Sequence, residues 1–140
     1  MLNWLRDLLQ PIRVTDPVLG PLRYLRDTRT WEGWIDFRPV GHPVEVLLSG
    51  GPTGPEQAQK SLLQELAEKY VVLLPSVLGM LNDSAATHGM QGRLSFKLVA
   101  IDLPELAGAA WELCFETEPP SAFYVVQMNG FSPVSASVEC

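Results

Sequence analysis

The residues of this 140-residue chain that could carry chemistry are two histidines, two cysteines, sixteen carboxylates and one glycine-rich loop. His42 stands beside Pro43 in a turn and His88 in a loop with glycines, and neither has metal-ligand spacing to the other or to Cys114 or Cys140. Both read as solvated loop residues. Cys114 lies in an alternating apolar run with no sequence-local histidine, and the chain contains no Gly-x-Ser-x-Gly elbow. A buried structural thiol is the expected role. Glu32 with Asp36, and Glu112 with Glu116, are each four apart in alternating runs, so each pair shares a strand face at about 13 Å, too far for an acid/base couple.

The loop at residues 50–55, GGPTGP, falls between a strand pattern and a helix pattern, where phosphate cradles occur. Its composition argues against an anion. Pro52 and Pro55 remove two N–H donors, Glu56 places a negative charge where the phosphate would sit, and Lys60-Ser61 comes too late for a Gly-Lys-Ser/Thr signature. Thr53-x-x-Glu56, with Pro55 in the first turn, instead has the form of a capping box that starts a helix. No catalytic, cofactor-binding or metal-ligating residue is expected.

The elements that position these residues follow from periodicity. Residues 22–26, 30–37 and 44–49 alternate with period two and are joined by short turns, which predicts a three-strand antiparallel meander. Trp31, Gly33, Ile35 and Phe37 then share one face, and Glu32, Trp34, Asp36 and Arg38 the other. Over residues 56–81, Ala58, Leu62, Leu66, Tyr70, Leu73, Leu74, Val77 and Leu81 recur at spacings of three and four, predicting a helical segment. Pro75 should bend or split it near residues 72–74. Residues 82–92 read as a polar loop. Residues 94–102, 111–117, 122–128 and, more weakly, 134–138 read as a second group of strands. Residues 1–10 have the apolar spacing of a short amphipathic helix ended by Pro11. The expected organisation is an N-terminal helix over residues 1–13 and a single α+β domain over 14–140. In that domain helices cover one face of a largely antiparallel sheet.

Charge limits the partners. Residues 1–40 carry net +1 and residues 41–140 net −7, giving the −6 of the whole chain. Without clustered Lys and Arg there is no footprint for a phosphate backbone, so nucleic acid is not expected and a basic protein fits better. The apolar run at the start is interrupted by Arg6 and Asp7 and has no small-residue cleavage site. It reads as neither signal nor membrane span, and a cytoplasmic location is expected by default.

The stretch DPVLGPLRYLRDTRTWEGWIDF, with Gly20-Pro21-Leu22 leading to Trp31-Glu32-Gly33, and the later WELCFETEPPSAFYVVQM resemble small bacterial α+β domains of uncharacterised function. Some of these are taken to be immunity proteins encoded beside polymorphic or contact-delivered toxins. The resemblance implies a single α+β domain, no cofactor and an inhibitory protein–protein role. The expected function is therefore non-enzymatic protein binding, with Trp34, Glu32, Asp36 and Glu45 on a wet strand face as the partner-binding residues. The alternatives are an enzyme whose site assembles only in the fold, and a homo-oligomeric structural domain.

Overall fold

A computed structural model of the chain describes residues 12–87, 89, 94–105, 110–118 and 122–139. The elements are β1 (Ile12–Asp16), β2 (Gly20–Leu25), β3 (Thr30–Phe37), β4 (His42–Ser49), α1 (Gln57–Thr87), β5 (Ser95–Leu103), β6 (Ala110–Glu118), β7 (Phe123–Asn129) and β8 (Ser132–Glu139). All eight strands form one sheet in chain order. Hairpin-length links make every neighbouring pair antiparallel except β4 and β5, which run parallel from Glu45↔Ala100 to Leu48↔Leu103. A parallel pair needs a long crossover, and α1 is that connection. The fold is α+β, and among the described residues two four-strand meanders flank one helix.

Three expectations are corrected. The first meander has four strands: β1 was missed because its alternation is only two apolar residues long, Ile12 and Val14, yet it pairs with β2 from Ile12↔Tyr24 to Asp16↔Gly20. Its turn is closed by Asp16, whose Oδ1 accepts the N–H of Val18 at 2.8 Å and of Leu19 at 3.0 Å. Ile12 and Arg13, assigned to the N-terminal helix, are strand residues, and the rest of that expected helix lies outside the described residues. Second, α1 runs unbroken through Pro75. Pro75 and Val71 both face solvent, so water can satisfy the carbonyl that Pro75 leaves without a partner. Third, residues 82–87 continue the helix instead of forming a loop, because Ser84 and Ala85 extend its buried stripe.

That stripe is Gln59, Leu63, Leu66, Tyr70, Val77, Leu81, Ser84 and Ala85. The sequence reading began it one residue early, on Ala58, which is exposed. The stripe packs on Trp31, Phe37, Val44, Val46, Leu48, Ile101, Leu103, Trp111, Leu113, Phe115 and Tyr124 from the sheet. The two large indoles are anchored alike. Trp31 Nε1 donates to the Gly51 carbonyl at 2.9 Å, and Trp111 Nε1 donates to the Gly130 carbonyl at 2.7 Å. Among the described residues no helix is long and apolar enough to cross a membrane.

Because Pro75 removes a helical hydrogen bond at an exposed position, Pro75→Ala should stabilise the domain by about 1–3 kcal/mol. Urea unfolding monitored by circular dichroism measures this. An unchanged or lowered midpoint would mean that the proline is accommodated without cost.

Candidate functional site

One helix covers one face of the sheet, and no described element packs on the other. Pairing across the strands arranges that second face in rows. One row is Arg23, Glu32, Leu47, Asp102, Glu112 and Gln127, and the next is Trp34, Glu45, Ala100, Cys114, Val125 and Ser137. Lys97, Glu116, Phe123 and Glu139 form a shorter third row.

The four residues expected to bind a partner therefore share this face. Trp34 keeps 62% of its surface exposed, the largest exposure of any aromatic side chain among the described residues. Glu45 lies directly opposite it on β4, while Glu32 and Asp36 flank it along β3. Glu32 is ion-paired with Arg23. Asp36 and Glu45 take part in no ion pair among the described residues. Three hollows meet at Trp34. One, of about 600 Å³, runs toward Arg13 and Arg23, and a second of the same size passes between Val18 and Leu63. The third, about 420 Å³, is floored by Leu47, Ala100, Cys114 and Val125 and bordered by Glu45, Asp102 and Glu112.

Burial, and like charge after it, shows in the titrations. Burial, with the neighbouring Glu112 carboxylate, holds Asp102 above the ordinary carboxyl range. Glu45 is raised by burial and by Glu32. Glu112 is tied down by the Gln127 amide, whose Nε2 donates to Oε1 at 2.6 Å. Burial pushes the Cys114 thiol up, and the carboxylates of Glu139, Glu112, Glu116 and Glu45 add to this. A thiol so placed stays protonated, the opposite of what a nucleophile requires.

Asp102 was missed from the sequence, and the reason is local. Reading residues 94–102 with strict alternation puts Asp102 on the face of Leu98. A register shift between Leu98 and Ala100 makes Val99 an extra residue, which turns Ile101 and Leu103 into the core and Asp102 out of it. His42 is also corrected. It opens β4, with Nε2 2.7 Å from the Leu98 carbonyl and Nδ1 3.1 Å from that of Val40, so it ties β4 to β5 instead of standing in solvent. His88 and Cys140 lie outside the described residues.

The glycine-rich loop serves structure. The Gly50 and Gly51 carbonyls accept the Tyr24 hydroxyl and the Trp31 indole N–H, each at 2.9 Å. The capping box is displaced by three residues: the Gln59 side chain, not that of Glu56, reaches back, and its Oε1 accepts the Glu56 N–H at 2.9 Å. Among the described residues no three His, Cys, Asp or Glu side chains group as a metal site would require. No protein-family model, curated protein or solved structure matches the chain.

The raised titration of Asp102 has a definite sign. Between the unfolded carboxyl pKa, near 4, and the higher folded value, the folded state holds the proton more tightly. Ionisation as pH rises through that interval removes stability. Asp102→Asn should therefore raise the unfolding midpoint at pH 7 and leave it unchanged at pH 3, where the native carboxyl is protonated in both states. Equal effects at the two pH values would assign the change to packing.

Proposed function

We propose that this chain is a non-enzymatic binding domain whose sheet face opposite α1 docks a basic protein, and that the partner is a toxin which it neutralises as an immunity protein. The observation that carries the reading is Trp34, largely exposed in the interior of a long strand and bordered by Asp36 and Glu45, neither of them ion-paired among the described residues. A tryptophan on a wet strand contributes little to its own fold. Buried under a partner it supplies the aromatic anchor around which binding energy concentrates.

The surrounding carboxylates select the sign of the partner. Glu112 and Glu116 extend the acidic surface beyond Trp34, and Glu45 and Asp102, raised chiefly by burial, are raised further by neighbouring carboxylates, a repulsion that a cationic surface would relieve. The same crowding disfavours self-association through this face, since a two-fold contact would set like charges against one another. The protonated Cys114 thiol disfavours covalent chemistry there.

Co-expression with the product of an adjacent toxin-like reading frame tests the proposal. The wild-type chain should restore growth, and Trp34→Ala should weaken binding to the purified toxin by about 30-fold or more, about 2 kcal/mol, while its unfolding midpoint stays close to wild type. Trp31→Ala, which empties a fully buried site, should instead cost about 3–5 kcal/mol of stability. Charge-reversing Glu45→Lys should slow association and flatten its salt dependence. Failure of the wild type to protect, or equal destabilisation by the two tryptophan variants, would sink the proposal.

A further inference from the structure

β2 and β3 separate halfway along their length. Their ladder runs Leu25↔Thr30, Tyr24↔Trp31 and Arg23↔Glu32 and ends there, whereas β3 stays registered with β4 as far as Phe37↔His42. Gly33 marks the crossing point. A Cβ there would stand 2.8 Å from the Pro21 carbonyl oxygen and 2.7 Å from Leu22 Cδ2, so β2 passes against the core side of Gly33. It continues toward α1, where Leu19 and Leu22 are buried and Asp16 meets Lys60 at 2.6 Å. Among the described residues no strand is registered with residues 34–37 on the side that β2 has left.

A strand edge of this kind presents main-chain N–H and C=O groups at every second residue and is a template for another extended chain. The space beside it is two-sided. Toward the helix the hollow of about 600 Å³ that opens at Trp34, Asp36 and Arg38 is walled by Val18, Leu19, Ile35, Leu63 and Ala67. Toward the open face stand Trp34 and Asp36, with Glu45 one strand further in. A chain laid along the edge would alternate its side chains between these environments.

We propose that residues 34–37 of β3 receive an extended segment of a protein partner, added as a strand, with apolar residues toward α1 and basic residues toward Trp34 and Asp36. This specifies how the docking face of the preceding section engages its partner, and it rests on that reading. Main-chain pairing holds the segment along the edge. The hollow selects small apolar side chains, and a Lys ammonium placed over the Trp34 indole lies between Asp36 and Glu45.

The test uses the full chain and end-blocked heptapeptides. The first alternates Lys and Val, Lys-Val-Lys-Val-Lys-Val-Lys. The second has the same composition in non-alternating order. Two further alternating peptides carry backbone N-methyl groups on the valines or on the lysines. Calorimetric titration should show the alternating peptide binding at least tenfold more tightly than the reordered one and than one of the two N-methylated forms. Hydrogen exchange of the amides in residues 34–37 should slow at least tenfold in the complex. Equal binding of all four peptides, or binding by none, overturns the added strand. If all four bind equally and Trp34→Ala abolishes binding, the face still docks basic chains and only the strand is lost. If the alternating peptide binds with edge protection and Trp34→Ala has no effect, the strand stands and the anchoring role of Trp34 fails.

Discussion

The architecture depends on one buried side chain. Gln59, fully buried in the first turn of α1, shares its amide protons among the carbonyls of Ser49 at 2.9 Å, Leu103 at 3.1 Å and Pro104 at 3.1 Å, and its oxygen caps the helix start. Those carbonyls lie at the ends of β4 and β5. Hairpins cannot join parallel strands, so the one parallel pair in the sheet is held by its own ladder and by whatever fixes the crossover helix above it. Gln59 links all three elements at the point where the helix leaves the sheet. A buried amide without partners would cost about 1–3 kcal/mol, and here both of its ends are satisfied.

The helix α1 sets the character of the two faces. At 31 residues α1 is about 46 Å long, enough to run across the apolar side of the sheet, and its contacts range from Phe37, edge-on to Tyr70, to Phe131, whose ring lies under the Lys69 ammonium. On the other side no described element packs, so polar residues are admitted there by necessity, beside apolar ones such as Leu47, Ala100 and Val125. Necessity does not extend to setting Asp102 directly opposite Glu112, or to leaving Trp34 in water. Those choices cost stability in the free protein, and such costs collect where a surface is made to meet something else.

The terminal hairpin belongs partly to the sheet and partly to the helix. β2 runs from the α1 side at Gly20 to its pairing with β3 at Leu25, β1 lies along it, and the hairpin is held on α1 by the buried Asp16. Desolvation alone would raise this carboxyl, but hydrogen bonds from Lys60 and from the Leu19 and Val18 N–H groups outweigh it, and the titration is lowered. The stabilisation is present above the ordinary carboxyl range and is lost as pH falls through the depressed value. The contact that docks the hairpin on the helix is thus also the contact that holds β2 away from the far half of β3.

Alternation in residues 30–37 and 44–49 determined both strands and the opposite orientations of Trp31 and Trp34, because side chains in a strand change face at every residue whatever surrounds it. Helical spacing located α1 for the same local reason. What the sequence left undecided was long-range or one residue in extent. β1 alternates over only Ile12 and Val14 and is fixed by the partner that β2 offers it; Pro75 is tolerated because its side of the helix faces water; and Asp102 joins the acidic face through a single extra residue at Val99 that reverses the parity of β5. The union of the two strand groups in one sheet was suggested by the sequence and could not be established from it, since it rests on four parallel pairs and one glutamine that bring together segments some fifty residues apart, and no local pattern records a contact made only when the chain closes.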